Sequence, residues 1–346
     1  MGLKKPTLKR KATPKITTEE PEKKTEKEKI KKRREEILKS GRKFKYPLQY
    51  SKHRLVIITV VVAAVALIGS FITGYLMLYK IQSTGDVMYR LTKILPVSVA
   101  NIDGENVRYS DYLMIYKSSI RPIEQQTGSF NEGPDADSRR NYYKRAALND
   151  AEEYAYATKL AREQNIEVSE DEINTSFDEH RKVGGTELSN ESFLRIVKEN
   201  FGLSEEEYRH ILKLSLLKKN VSTAIDLNAK NTVNEIEKYL SENDNDFKKA
   251  RDQFTSRAEY EETGGLVGAG NVDGGRAVKA LTLEKNQVSK PFVSLNGDGY
   301  YIIKCTDKSE NEVSYVSLFV PFSEFGKQMS NLKNDGKIKE FIEIPE

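Results

Sequence analysis

Residues 55–78 form a run of 24 residues without a charged side chain, and this run reads LVIITVVVAAVALIGSFITGYLML. A helix needs about 20 predominantly apolar residues to cross a hydrocarbon core that is about 30 Å thick. A buried core helix of a water-soluble protein is the alternative interpretation. The length of the run favours a single transmembrane helix, which we place at residues 55–79.

Charge is distributed unevenly on the two sides of this run. Residues 1–54 contain 20 Lys and Arg and 7 acidic residues, a net charge of +13, while the whole chain carries +4, which leaves −9 for the remainder. Because Lys and Arg are enriched on the cytoplasmic side, we expect a cytoplasmic N-terminus and an extracytoplasmic C-terminal part. A cleaved signal peptide would have a shorter apolar region, of about 7–15 residues, so we expect an uncleaved signal anchor.

The basic tail, residues 1–54, is rich in Lys, Glu, Thr and Pro and has no aromatic residue before Phe44. Such a composition offers too little apolar surface to offset the entropy of ordering, so we expect the tail to be disordered. Basic runs such as residues 31–34 can attract nucleic acid or anionic lipid. We interpret them as a topology determinant with weak lipid contact, and we expect no nucleic-acid partner.

The extracytoplasmic part begins with a predicted linker at residues 80–94. The single cysteine, Cys305, excludes an internal disulfide framework, and we expect it to be a small apolar residue in a strand. The three histidines, His53, His180 and His210, are predicted to be solvated or capping residues. Without a metal-ligand spacing or a phosphate-binding loop, the sequence predicts no metal and no cofactor.

Residues 95–243 have a mainly helical pattern. A short extended stretch precedes the dipeptide Asp103-Gly104, which favours a hairpin turn. Apolar residues then recur at three- and four-residue spacing through residues 143–161, which indicates a long amphipathic helix. Ser169 and Ser204 each precede a glutamate by three residues, and this spacing predicts two capping boxes.

Three segments resemble, in this order, the N-terminal helical domain of the SurA, PpiD and PrsA family of extracytoplasmic folding factors. They read VSVANIDGENVRYSDYL, AREQNIEVSEDEI and ESFLRIVKENFGLSEEEYRHILKLSLLKKNV. The matching residues of the last segment are Phe193, Gly202, Leu203, Ser204, Glu207, Leu216, Leu217 and Lys218. The resemblance implies a SurA-N-like chaperone domain over residues 95–243 that binds unfolded, translocated polypeptides.

Residues 262–307 change to Gly-rich turns and β-prone runs, and they are similar to the second half of a parvulin-type peptidyl-prolyl isomerase domain. The corresponding residues are Gly264, Gly265, Leu266, Gly268, Ala280, Leu283, Val288, Ser289, Pro291, Gly299, Tyr300, Ile302, Ile303 and Lys304. The resemblance implies a small parvulin-like α+β domain over residues 244–346, with a C-terminal strand and helix.

The parvulin-type active site is substituted at the positions that the resemblance identifies. Tyr301 replaces the histidine of the last strand, and the family's Phe and Met positions fall on Arg276 and Val272. We therefore expect no catalytic residue and a degenerate, inactive isomerase domain. An active prolyl isomerase is the alternative.

The family's first strand is missing before Phe247. Residues 315–320 resemble it and follow the last strand instead. They either close the sheet as a circularly permuted edge strand, with Ser317 at the histidine position, or form an additional strand. The sequence leaves both possibilities open.

Together these observations predict an α+β protein with one transmembrane helix, a helical chaperone domain and a parvulin-like domain. Its expected partners are unfolded polypeptides and the membrane, and a scaffold for the secretion machinery is the alternative. We expect the apolar stripe Tyr208, Ile211, Leu212 and Leu216 to be core packed against the 135–163 helix. The candidate peptide-binding residues are Tyr112, Tyr116 and Phe130, expected to be exposed aromatics, together with Leu266 and Tyr301.

The predicted orientation can be tested with protease added to intact cells or spheroplasts that express the chain. Residues 85–346 should be digested, while the tail and the apolar helix stay protected, because the basic flank holds the N-terminus inside. Protection of residues 85–346 until detergent is added would reverse the orientation.

Overall fold

The computed structural model describes residues 20–345 apart from six positions, which are Tyr46, Gly128, Ser129, Asn131, Gly184 and Gly185. The chain divides into two compact units, residues 1–74 and 75–346.

The first unit contains helix α1 (Glu20–Lys45), so the prediction of a disordered tail is wrong for these residues. Residues 1–19 lie outside the described part of the chain. Lys, Glu and Arg are strong helix formers, and Glu and Lys three or four positions apart stabilise a helix through side-chain pairs. The described side chains of α1, residues 26–41, are all exposed, so the helix depends on these local effects rather than on packing.

Helix α2 (Pro47–Tyr75) follows and continues into a π-helical turn, Leu76–Lys80. Among the described residues, one helical stretch, His53–Lys80, is long and apolar enough to cross a membrane, and none of its most apolar window is buried by protein. An apolar surface of this size is unfavourable in water but is the expected surface of a helix in lipid.

The second unit begins at the end of this stretch. Leu78 is buried, and its backbone carbonyl accepts a hydrogen bond of 2.6 Å from the hydroxyl of Tyr109. The hydroxyl of Tyr79 donates to the carbonyl of Ser98 at 2.8 Å. The residues that follow the apolar run are therefore part of a folded core.

Helix α3 (Asp86–Ile94) corrects the prediction that residues 80–94 are a linker. It contacts the next helix, and its Tyr89 hydroxyl donates to Glu207 at 2.6 Å. Gly85 precedes the helix and Asp86 occupies its first turn, where a carboxylate interacts favourably with the helix dipole.

The remaining helices of the helical region, α4 to α8, confirm the predicted pattern. They are α4 (Tyr109–Thr127), α5 (Ala136–Gln164), α6 (Glu170–His180), α7 (Asn190–Ile196) with a following π turn (Val197–Phe201), and α8 (Glu205–Ile225). Both capping boxes are confirmed. The hydroxyls of Ser169 and Ser204 each accept a hydrogen bond from the backbone amide of the glutamate three residues later, and the backbone amide of each serine donates to the carboxylate of that glutamate. Between α6 and α7 lies a small hairpin, β3 (Lys182–Val183) and β4 (Thr186–Glu187).

A three-stranded antiparallel sheet covers one end of the helical region. It contains β1 (Ser98–Ile102), β2 (Glu105–Arg108) and β10 (Ile338–Glu340), in the order β10-β1-β2. The predicted turn is confirmed, since Asp103 and Gly104 both have positive φ, at 47° and 89°. The outer strand β10 comes from the end of the chain, more than 200 residues later in the sequence.

The second sheet has α helices on both faces. Its elements are α9 (Leu227–Glu242), α10 (Phe247–Phe254), β5 (Glu259–Glu262), β6 (Val267–Gly268), α11 (Arg276–Leu281), β7 (Phe292–Val293), β8 (Gly299–Lys308) and β9 (Glu312–Pro321). The strand order is β5-β9-β8-β7, and β6 also pairs with β9. Successive residues of β8 alternate between faces, so Ile302 packs with α9 and α10 while Tyr301, Ile303 and Cys305 pack with α11. Cys305 is confirmed as a buried strand residue.

The strand at residues 315–320 lies within β9, which is an interior strand. It is antiparallel to both β8 and β5, so the prediction of an edge position is wrong. An interior strand is also not an addition to a complete sheet, because β5 and β8 would have no partner between them without it.

The α+β class is confirmed, but the predicted boundary between residues 243 and 244 does not match the packing. Helix α9 buries its apolar face against the second sheet. Helix α12 (Glu324–Asn334) and the residues after β10 instead pack into the core of the helical region, where Phe325, Leu332, Ile342 and Ile344 are buried. The chain therefore enters the sheet region and returns.

Asp226 lies at the junction of the two regions and is 1% exposed. Its carboxylate accepts the amide of Ala229 at 2.9 Å and so caps α9. The same carboxylate accepts the amides of Ser323 and Glu324, at 2.6 and 2.9 Å, where α12 begins. Burial opposes ionisation, but these amide bonds outweigh it and lower the pKa of Asp226.

We expect Asp226→Ala to lower the free energy of unfolding by about 1–4 kcal/mol, because it removes the caps of two helices, each worth about 0.5–2 kcal/mol. Asp246→Ala is the matched control, since Asp246 accepts two amides of α10 alone. Urea unfolding followed by circular dichroism measures both losses. Equal losses of stability for the two variants would contradict the role of Asp226 as a cap of both α9 and α12.

Candidate functional site

Three of the predicted peptide-binding residues, Tyr112, Tyr116 and Phe130, are buried, so the prediction that they are exposed aromatics is wrong. The ring of Tyr112 lies 6.5 Å from that of Tyr116, and Phe130 contacts Tyr143 of α5 at 5.7 Å between centroids. The reason is that α5 and the β1–β2 hairpin pack against α4, which carries the two tyrosines, while Phe130 lies after α4 and packs on α5. In this structure they stabilise the core.

The apolar stripe of α8 is confirmed as core for Leu212 and Leu216, which are buried. Leu212 packs in a cluster with Phe177 of α6 and Phe193 of α7, and Leu216 packs with Ile173 of α6. The side chains of this stripe therefore pack on α6 and α7, whereas α8 as a whole also packs against α5, the predicted partner.

Arg276, at the start of α11, lies under two tyrosine rings in the sheet region. Its guanidinium carbon is 5.0 Å from the ring centre of Tyr301 and 5.8 Å from that of Tyr315. Nε donates to the backbone carbonyl of Asp273 at 2.8 Å, and Nη1 pairs with the carboxylate of Glu261. The guanidinium is thus held by aromatic faces, a carbonyl and a carboxylate.

Asp273 anchors the start of α11 beside this arginine. Its Oδ2 accepts bonds from the Tyr315 hydroxyl at 2.6 Å, the Asn271 side chain at 2.9 Å and the Ala277 amide at 3.0 Å. Burial and the bond to Asp273 raise the pKa of Tyr315. Ser317, at the position where the permuted arrangement would place a histidine, is fully buried and accepts a bond from Arg276 at 3.3 Å.

Tyr301 is buried in the aromatic layer of the second sheet. Its ring stacks on Phe319 of β9 with 4.6 Å between centroids and lies 5.9 Å from that of Phe292. Burial raises the pKa of Tyr301, so its hydroxyl stays protonated at neutral pH. As a candidate for peptide binding, Tyr301 is therefore largely inaccessible.

Four apolar side chains of the sheet region are exposed. Leu266, Val272, Val278 and Leu295 are each at least 43% exposed. Leu295 lies against Gly275, whose φ is +87°, and a Cβ at that glycine would come within 2.8 Å of the Leu295 side chain. Of the predicted peptide-binding residues, Leu266 is accessible.

A cavity of about 330 Å³ lies between α3, α4, α6 and α8, and two of its carboxylates, Asp111 and Glu207, have partners. Asp111 Oδ1 is 3.1 Å from Nε2 of His210, while Glu207 accepts bonds from Tyr89 and Lys93. His210 therefore has a structural partner, consistent with the expectation that it is not catalytic.

A larger cavity, of about 520 Å³, lies between α5, α12 and β10 and is open to solvent. Its walls are formed by Asn149, Glu152, Glu153, Gly326, Met329, Ser330, Lys333, Ile338 and Glu340. Glu153 pairs with Lys218, and Glu340 pairs with Arg145 at 2.7 Å. Glu152 is 5% exposed, and its buried Oε1 has no hydrogen-bond partner among the described residues.

Glu152 is a buried carboxyl group with an unusual pKa. Burial raises its pKa to about 7, and the neighbouring Glu340 and Glu153 act in the same direction. Arg145 and Lys333 oppose the shift without cancelling it. A carboxyl group in this state changes its charge close to neutral pH.

Sequence reasoning missed Glu152, although a signal for it exists. Leu148 and Tyr156, four residues before and after it, are both buried, so Glu152 occupies a position in the apolar stripe of α5. A carboxylate at such a position is either paired or exposed at the edge of a cavity. Helical spacing thus indicates the residue, but not the elements that enclose it.

Comparison with known proteins identifies the first half of the chain. Residues 49–222 match the family described as the SurA-like N-terminal domain. The chain belongs to this family. The match confirms the resemblance to SurA-type folding factors, and it ends before the second sheet, so the parvulin-type resemblance stays a prediction. No curated protein is significantly similar to the chain.

We expect the stability of the protein to fall as pH rises from 4.5 to 7, in proportion to the ionisation of Glu152. Below the ordinary pKa of 4.5 the group is protonated in both the folded and the unfolded states. Between 4.5 and the folded pKa of about 7 the unfolded chain ionises while the folded protein stays protonated, which favours the unfolded chain, and above about 7 the loss is complete. Such a shift corresponds to a loss on the order of 3 kcal/mol.

Glu152→Gln removes this loss, so its free energy of unfolding relative to the wild type should increase steadily between these pH values. Glu153→Gln, whose parent residue pairs with Lys218, should show no comparable trend. A difference between Glu152→Gln and wild type that is constant from pH 4.5 to 7.5 would show that Glu152 keeps an ordinary pKa.

Proposed function

We propose that this protein is a membrane-anchored extracytoplasmic folding factor that binds unfolded, translocated polypeptides without catalysing prolyl isomerisation. The observation that carries the proposal is the match of residues 49–222 to the SurA-like N-terminal domain. Binding would work by transient burial of apolar client side chains, each worth about 1.5–3 kcal/mol when fully buried.

Membrane anchoring is supported by the apolar stretch His53–Lys80, whose surface is not covered by protein. The basic residues before it favour a cytoplasmic N-terminus. In this orientation the unit of residues 75–346 lies outside the cytoplasm, where it meets polypeptides as they leave the membrane.

The absence of isomerase activity is supported by the side chains at the substituted positions. A prolyl isomerase must hold the prolyl ring in an apolar site while it lowers a rotational barrier of about 18–20 kcal/mol. Here the guanidinium of Arg276 lies under Tyr301 and pairs with Glu261. Because the guanidinium of Arg276 occupies this position and is paired, no apolar pocket is left there for a prolyl ring.

The position of β9 supports descent from a complete parvulin-type sheet. This strand is antiparallel to both neighbours and fills the interior of the second sheet. It is therefore the better candidate for the missing first strand than for an additional one, and the order of the elements along the chain would have been permuted.

We assign client binding in the sheet region to the exposed apolar group Leu266, Val272, Val278 and Leu295. Val278 lies on the same helix as Arg276, and Leu295 lies against Gly275, the residue before Arg276. The exposed side chains of all four residues can be removed from water only by a bound partner. Apolar side chains that are exposed in one neighbourhood are typical of interaction sites.

The proposal is tested with the full chain in lipid nanodiscs, mixed with an unfolded secreted protein diluted from denaturant. The wild type should slow aggregation of the client, and the double variant Val272→Ser/Leu295→Ser should bind it at least about tenfold more weakly, since apolar burial is lost at two side chains. Leu227→Ser is the matched control, because Leu227 is an exposed leucine on α9.

Two results would contradict the proposal. Acceleration of prolyl isomerisation in a tetrapeptide, abolished by Leu266→Ala, would make the protein an enzyme. No effect on client aggregation, together with recovery of one stoichiometric membrane partner, would make it a scaffold of the secretion machinery instead.

A further inference from the structure

The α5–α12–β10 cavity contains one carboxyl group that forms no ion pair with the described residues, that of Glu152. Three carboxylates border it, but two have partners: Glu153 pairs with Lys218 and Glu340 pairs with Arg145. Glu152 differs from both, since it is 5% exposed and its Oε1 accepts no hydrogen bond from any described residue. A buried carboxylate without a partner is unfavourable unless a cation or a donor reaches it.

The other walls of the cavity suit an aliphatic chain that ends in a cation. Met329 of α12 and Ile338 of β10 are half-buried apolar residues, and Asn149 and Ser330 provide polar groups at exposed positions. Lysine and arginine side chains have this composition, with apolar methylenes and a charged end. The volume of about 520 Å³ accommodates one such side chain together with water.

We propose that this cavity binds a lysine or arginine side chain of an extended polypeptide, with Glu152 as the counter-ion. The inference rests on the proposed function, and it specifies the client: apolar segments that carry a basic residue bind better than apolar segments alone. Glu152 acts as the specificity residue, and Met329 and Ile338 contact the methylenes.

Lys333 is the internal competitor for this role. It borders the cavity and its charge acts on Glu152, yet no ion pair within 4.0 Å joins the two in the described structure. Because Lys333 lies on the exposed part of α12, removing its side chain should leave the fold intact.

The experiment uses the full chain in nanodiscs at pH 8 and two short dye-labelled apolar peptides, identical except that one carries a central lysine and the other norleucine. Norleucine keeps the aliphatic chain and lacks the amine. Fluorescence anisotropy should show at least roughly tenfold tighter binding of the lysine peptide. Glu152→Gln should remove this preference and keep the affinity for the norleucine peptide. Glu153→Gln should preserve the preference, and Lys333→Ala should preserve or increase it.

The proposal is overturned if the wild type binds both peptides equally, or if the preference for lysine survives in Glu152→Gln. A preference that arises only in Lys333→Ala would also overturn it, because Lys333 would then be the resident cation. If both peptides bind equally and client aggregation is still suppressed, the proposed role of the cavity is rejected while the proposed chaperone function stands. Failure to bind either peptide, together with unchanged client aggregation, rejects the chaperone function as well.

Discussion

The structure of the second unit depends on one buried carboxylate. Asp226 accepts an amide three residues later in the sequence and two amides almost a hundred residues later. The carboxylate is buried and the three donors need an acceptor, so neither side is satisfied unless α9 and α12 begin at the same point in space. This single side chain fixes where the chain leaves the helical region and where it comes back.

The return of the chain has two consequences. It supplies β10, which pairs with β1, and it places Ile342 and Ile344 in the core of the helical region. It also creates the cavity beside α5, because α12 and β10 cover Glu152 without providing a partner for its Oε1. The feature that completes the core thus also produces a charged site, and such local conflicts between stability and composition are typical of functional sites.

The centre of the second sheet is filled by a charged side chain and aromatic rings. Arg276 lies where the parvulin-type resemblance expects an aromatic wall, and the rings of Tyr301 and Tyr315 enclose its guanidinium. Around this filled centre, apolar side chains such as Val272 and Leu295 stay exposed. A surface that binds apolar segments needs such side chains and no reacting group, and the proposed client binding rests on them.

The sequence by itself determined the features whose causes lie within a few residues. The apolar helix, the capping boxes at Ser169 and Ser204, and the turn at Asp103 all depend on neighbours within one helical turn or one hairpin. The family, too, is recognisable from continuous segments. These signals are local, so folding does not alter them.

Only the tertiary structure decided which side chains are covered and by what. Tyr112 and Tyr116 were predicted to be exposed but are buried. The elements that cover them, α5 and the β1–β2 hairpin, are separate segments of the chain, and the sequence around the two tyrosines does not indicate them. The interior place of β9 and the isolation of Glu152 likewise arise from contacts between distant segments, such as the pairing of Ala100 with Glu340. Periodicity shows which face of an element is apolar, but burial is a property of the partner that packs against it, and that partner is chosen by the whole chain.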